Sequence, residues 1–158
     1  VAGKSVSKAE VLKGFEHIHS LPKSIIDIGE SWKLWVLCDR EPVTSWQQGH
    51  AVLLGDAAHP MLQYMAQGAC MAMEDAVCLA RQIHHYKGDI LAAFTAYQDL
   101  RITRTARVVL ASRAMGDHIY HPDGAHAMVR NSMLGGWEPD EFYHRLDWLY
   151  GEGLGVWR

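Results

Sequence analysis

The chain has 158 residues, 15 Lys and Arg against 18 Asp and Glu, and 49% apolar residues, the balance of a globular domain with a core rather than a disordered or fibrous chain. A formal net charge of -3 without any basic run excludes the phosphate-neutralising surface of nucleic-acid binders. No stretch approaches the roughly 20 apolar residues of a membrane span, and no basic-then-apolar leader opens the chain. The three cysteines, Cys38, Cys70 and Cys78, form an odd set within apolar segments. This predicts reduced thiols acting as small hydrophobes, in the cytoplasm.

Ser7 and Glu10 have the spacing of a capping box, and Ala9, Val11, Leu12, Phe15 and Ile18 recur at helical intervals. A helix is predicted to about His19, with Pro22 ending it. Residues 32–38, rich in aromatic and β-branched side chains, read as a strand whose partners lie upstream of the chain. The continuous apolar run Ala51-Val52-Leu53-Leu54 predicts a strand buried on both faces of a parallel sheet. Such a strand needs neighbours from elsewhere, and the chain opens on Val1, so a piece of a longer protein is expected.

A loop over His59 to Gln67 then leads into a helix starting at Gly68. Its residues 69–80 are almost all apolar, the pattern of a helix buried on every side. Gly88-Asp89 ends it, and Ile90 to about Tyr120 reads as a second long helix whose length invites a kink. Leu91, Phe94, Tyr97 and Leu100 form its apolar stripe, and Arg101, Arg104 and Arg107 a stripe expected to be solvated. Two shorter helices, 124–134 and 141–150, and a loose glycine-rich tail over 151–155 complete the reading.

The chemistry is concentrated in residues 55–76, which begin Gly55-Asp56-Ala57-Ala58-His59 and end Glu74-Asp75-Ala76. A carboxylate just beyond a buried parallel strand stands where open α/β sheets bind ligands, so Asp56 suits hydrogen bonding to ribose or ribityl hydroxyls, and Gly55 leaves room for close approach. The helix starting at Gly68 offers free N–H groups with about half a positive charge, suited to an anion or to a ring that becomes anionic. His59, in a tight turn, is read as holding that turn. Glu74 and Asp75 point about 100° apart on a helix and are read as packing residues that share no site. Among the ten histidines, the groups His17/His19, His84/His85 and His118/His121/His126 lack zinc spacing, so no metal site is expected.

The GDAAH pattern, the loop ending Gln67-Gly68, and Glu74-Asp75-Ala76 in the following helix resemble the second flavin-contacting motif of single-component FAD-dependent aromatic hydroxylases, the family of p-hydroxybenzoate and salicylate hydroxylases. Asp39-Arg40-x-Pro42 and Trp46 are also similar to that family. Two departures, Gln63 where Pro is usual and Ala66 where a first Gly is usual, make the loop most similar to that of 3-hydroxybenzoate 6-hydroxylases.

This resemblance implies an α/β fold: a partial, Rossmann-like FAD-binding domain with a substrate-domain strand and a C-terminal helical region. Residues 1–45 would end the substrate-binding domain, 46–86 would supply the closing strand, loop and helix of the FAD domain, and 87–158 the helical region. It further implies that Gly55, Asp56, Gly68, Ala69 and Cys70 bind FAD, with Asp56 on the ribose and the amides of residues 68–70 on the pyrimidine edge of the flavin. Gln63 would contact the substrate, since its amide both donates and accepts. The reaction implied uses NADH or NADPH, FAD and molecular oxygen to hydroxylate a phenolic aromatic acid such as 3-hydroxybenzoate, in an enzyme that forms a homodimer when whole. The diphosphate-binding GxGxxG and any catalytic base belong to the family's N-terminal half, so no catalytic residue is expected in these 158 residues. Rival readings are a salicylate or N-heterocycle hydroxylase, or a noncatalytic helical module that binds no flavin.

Overall fold

A computed structural model describes residues 3–151. The chain forms two compact units that divide between Leu37 and Cys38. In the first, β1 (Lys4–Val6) pairs antiparallel with β2 (Trp32–Leu34), Ser5 opposite Lys33. One partner of β2 is therefore within the chain. Between the strands lie α1 (Lys8–Lys13) and α2 (Ser20–Ile28). The capping box forms as expected, Ser7 Oγ accepting from Glu10 N and the Glu10 carboxylate from Ser7 N. The helix it starts is only six residues long, and Pro22 does not end a helix. It sits in the first turn of α2, where its missing N–H has no helical acceptor to lose, and His19 Nδ1 caps that turn by accepting from Leu21 N.

The second unit is predominantly helical. The apolar run 51–54 contributes only β4 (Ala51–Val52), which folds back antiparallel on β3 (Gln47–Gln48) through a turn with Gly49 at φ +56°. The antiparallel pairing differs from the expected parallel strand, whose neighbours are expected outside this chain: Leu53 and Leu54 are exposed, and no parallel partner occurs among the described residues. A continuous apolar run signals burial on two faces but does not specify what provides the burial. β4 leads through a 3-10 turn (Gly55–Ala57) and a second one (Gln63–Met65) to α3 (Gly68–His85).

Only one line of α3 is fully buried, Met71, Asp75 and Cys78. Met73 is 63% exposed, so α3 is not buried all round in this chain. Cys70 and Cys38 are exposed too, which leaves Cys78 as the one thiol of the three that behaves as a core hydrophobe.

Asp89 caps α4 (Ile90–Met115), its carboxylate accepting from Ala92 N. Leu91 and Leu100 of the expected apolar stripe are exposed. The buried line instead runs Ala93, Tyr97, Arg101, Thr105, Val108, Val109 and Ser112, a spacing of three and four, the adjacent valines excepted, that keeps one face turned to the interior. The expected irregularity is present as a single π-helical turn, Gly116–Tyr120. α5 (Gly124–Gly135) and α6 (Pro139–Tyr150) match the two short helices read from sequence. The expected loose tail lies outside the described residues beyond Gly151. No described helix is long and apolar enough to cross a membrane.

Two apolar clusters build this unit. One joins Trp46, Ala58, Cys78 and Tyr97; the other joins Met71, Val108 and Leu149, with Met61, Met65 and Trp148 beside them. On α3 the residue between Met71 and Cys78 is Asp75, and on α4 the residue between Tyr97 and Thr105 is Arg101. A buried charge pair therefore separates the clusters.

Candidate functional site

That charge pair anchors the segment on which the sequence places its chemistry. Asp75 is fully buried and Arg101 is 1% exposed. Asp75 Oδ1 accepts from Arg101 Nε at 2.7 Å, and its Oδ2 accepts from His59 Nε2 at 2.6 Å and from Gly55 N at 3.1 Å. Burial by itself would raise the Asp75 carboxyl, but the bonds from His59 and Arg101 and the arginine charge outweigh it and hold the carboxyl below the usual range. The carboxylate therefore ties both ends of the turn Gly55–His59 to α3. His59 has the turn-holding role expected of it, its Nε2–H donating to Asp75 and its backbone N to Gly55 O at 2.9 Å.

The expectation that Glu74 and Asp75 share no site fails. Arg101 is long and forked enough to reach both, its Nη1 lying 2.6 Å from Glu74 Oε2. The expected solvated arginine stripe fails with it at Arg101, which is buried, and Arg104, which is half-buried, whereas Arg107 is exposed as expected. Arg104 holds Glu74 through two parallel bonds of 2.8 Å and donates to the terminal carbonyls of α6 at Trp148 and Leu149. Arg107 lies 4.0 Å over the Trp148 ring. Glu74 titrates low because these two arginines overcome the effect of its partial burial. Spacing shows which residues share a face but not whether a partner covers it. The available signal was the position of Arg101 four residues from Tyr97 and from Thr105, on a line of otherwise small or apolar residues.

The turn is held from the other side by the 39–42 stretch. Arg40 Nη2 donates to Ala57 O at 2.9 Å and to Ala58 O at 2.8 Å. Asp39 and Glu41 pair with Arg113 of α4 at 2.5 and 2.6 Å. Gly55 is buried at φ +59°, and a Cβ there would lie 3.2 Å from the Ala72 Cβ of α3. Both the backbone conformation and the close approach favour glycine. Asp56 next to it is exposed and its carboxylate makes no bond within the described residues, so it faces outward on a fixed turn.

The start of α3 is uncapped. Gln67 occupies the cap position, but its side chain turns away, Nε2 donating to Met65 O and to Tyr150 Oη at 2.9 Å. The amides of Gly68, Ala69 and Cys70 are left without a side-chain acceptor, at the positive end of an 18-residue helix. Gln63, in the second 3-10 turn, is exposed with its amide unbonded among the described residues. Ala66 stands at φ 53°, ψ 34°, in the left-handed region. That conformation gives the physical reason a glycine suits this position, and no local pattern in the sequence revealed it.

A free carboxylate on a rigid turn and an uncapped helix start fit a ligand that carries hydroxyls and an electron-rich ring. The profile described as "FAD binding domain" matches residues 6–111. The chain belongs to the FAD-binding domain family. It is 48% identical over 151 residues, 96% of its length, to 3-hydroxybenzoate 6-hydroxylase 1 of Aquipseudomonas alcaligenes, of which it covers 38%. It is 44% identical over 104 residues to 6-hydroxynicotinate 3-monooxygenase of Bordetella bronchiseptica, covering 65% of this chain and 27% of that protein. Among solved structures, a variant of HpxO from Klebsiella pneumoniae complexed with FAD superposes with a TM-score of 0.82 at 26% identity, covering 94% of this chain and 39% of the other. The chain thus spans about two fifths of the length of the curated relatives it matches, and its fold is part of the family's α/β architecture.

Proposed function

We propose that this chain forms part of an FAD-dependent, NAD(P)H-using monooxygenase that hydroxylates a phenolic aromatic acid such as 3-hydroxybenzoate. The observation that carries the reading is the pairing of a free Asp56 carboxylate, on a turn tied to α3 by Asp75, with uncapped amides at the start of the same helix. Within it, residues 1–45 would end the substrate-binding domain, 46–86 would complete the FAD domain and 87–158 would form the helical region. Asp56, beside Gly55, accepts hydrogen bonds from ribose hydroxyls. The amides of Gly68, Ala69 and Cys70 donate to the pyrimidine edge of the flavin and favour negative charge there. Gln63 orients the phenol hydroxyl without changing its charge. FAD, when bound, carries electrons from NADH or NADPH to molecular oxygen and so supplies the oxygen atom added to the ring. A cytoplasmic homodimer fits this chemistry. The hydroxybenzoate reading is favoured over an N-heterocycle because its relatives align with 92–96% of this chain, against 65% for the hydroxynicotinate enzyme.

The test uses the full-length protein with FAD. It should oxidise NADH or NADPH when given 3-hydroxybenzoate and yield a dihydroxybenzoate; no substrate-dependent oxidation with any phenolic acid would sink the activity. Asp56→Ala should weaken FAD binding about 10- to 100-fold, the loss of a bond to a charged group, and an unchanged flavin Kd would remove Asp56 from the site. Gln63→Ala should keep FAD but raise KM or divert oxygen to peroxide.

A further inference from the structure

The loop that carries Gln63 is gripped from the C-terminal helices. Tyr64 Oη lies 2.7 Å from His121 Nε2, and the two rings meet edge to face at 5.2 Å. Tyr120 adds a tilted ring contact with Tyr64 at 5.3 Å. The Tyr64 ring rests on the bare backbone of Gly116, where a Cβ would come within 2.6 Å of Cε2. Ser112 Oγ donates to Leu62 O at 2.6 Å, a second anchor on the same loop.

His121 reaches Tyr64 because of the π-helical turn. The turn closes with His121 N donating to Gly116 O at 3.0 Å. Removing its extra residue to continue as a regular α-helix would swing His121 about 100° around the axis, away from the ring. Single π turns concentrate at functional positions, since they trade regular bonding for a re-aimed side chain.

We propose that Tyr64 and His121 form a latch that positions the Gln63 amide, so that the C-terminal helices set substrate affinity without touching substrate. The inference rests on the assignment of Gln63 to the substrate. Gln63 and Tyr64 are adjacent in one 3-10 turn, where successive side chains stand about 120° apart. Fixing the Tyr64 ring therefore fixes the rotation of the turn and the direction of the Gln63 Cα–Cβ bond, which limits the arc its amide can reach. Without the latch the amide samples other directions and loses that freedom only on binding, which weakens affinity.

The experiment compares Tyr64→Phe, His121→Ala and the double variant in the full-length protein saturated with FAD. His121 is exposed and Tyr64→Phe removes one oxygen, so all three should fold. Each single change should raise KM for 3-hydroxybenzoate about two- to tenfold, the range for one lost neutral hydrogen bond. In each, kcat should stay within about twofold and FAD affinity should not change. The double variant should be no worse than either single, because the two groups act as one unit. Amide exchange at Ala66, whose N–H donates to Gln63 O at 2.8 Å across the same turn, should quicken in all three. Unchanged KM, additive losses in the double variant, or unchanged exchange at Ala66 would each overturn the latch. A wild-type protein that hydroxylates no phenolic acid overturns the functional reading instead, and with it the role of Gln63. Exchange at Ala66 then decides whether the pair holds the loop.

Discussion

Two turns precede α3, and they are secured by different physics. The first, Gly55–His59, is held by charge: a fully buried Asp75 gathers Gly55 N, His59 and Arg101, and Arg40 takes the carbonyls of Ala57 and Ala58. The second, Leu62–Gln67, is held by single hydrogen bonds shared with Ser112, His121 and Tyr150, and it contains a strained left-handed Ala66. A buried ionic anchor keeps its geometry because breaking it strands a charge, whereas a single hydrogen bond outside such a network is worth only about 0.5–1.5 kcal/mol. Under the proposed function, the turn that would meet the cofactor is fixed by a buried charge network, and the loop that would meet the substrate depends on a few single bonds, the Tyr64–His121 latch among them.

The sharpest way to break this contrast is Arg101→Met. It leaves Asp75 buried with His59 as its remaining side-chain partner, and should destabilise the protein by roughly 3–5 kcal/mol, the range for removing one member of a buried ion pair. Denaturant unfolding measures the loss, and amide exchange should quicken at residues 55–59 more than at 62–67. A loss under about 1 kcal/mol would place Arg101 with ordinary surface pairs.

Acid should also separate the two turns. Asp75 and Glu74 both titrate below their ordinary values, so the unfolded chain takes up their protons first as pH falls. Their contribution is complete above the unfolded carboxylate pKa of about 4 and is lost as pH falls through the lower folded values. Unfolding midpoints measured downward from pH 6 should hold until about pH 4 and then drop. The combination Glu74→Gln with Asp75→Asn should be less stable at neutral pH but show a shallower acid slope. An equally steep slope in that variant would assign the acid response to other carboxylates.

The smallest effect belongs to the second turn. Ala66→Gly removes a left-handed strain of about 1–2 kcal/mol but adds unfolded-state freedom of about 0.5–1 kcal/mol, for a net gain near 0.5 kcal/mol. A thermal midpoint lowered by this change would mean that the Ala66 methyl packs usefully.

Elements set by local rules were legible in the chain: the Ser7/Glu10 capping box, the Gly68 helix start, the break at Gly88-Asp89, and the two short C-terminal helices. The motif of residues 55–76 was legible for the same reason, since a tight turn and a helix start demand particular residue types at fixed spacing. Readings that depended on what lies opposite went wrong. The run 51–54 reads as a sheet interior, and among the described residues it supplies half of a hairpin, Ala51–Val52 on Gln47–Gln48. Of the arginine stripe only Arg107 is exposed, while Arg101 and Arg104 are covered by their carboxylate partners on α3.

The sequence by itself determined the capping box at Ser7, the helix start at Gly68 and the turn chemistry, because these follow from backbone conformation and short spacing, while the likeness of residues 55–76 to a known motif carried the flavin-binding kinship. Only the tertiary structure decided that Asp75 and Arg101, 26 positions apart, would meet between two apolar clusters, and that a π turn would bring His121 onto Tyr64. Such pairings depend on which faces pack together and on a single residue of helical phase, and no local pattern encodes either.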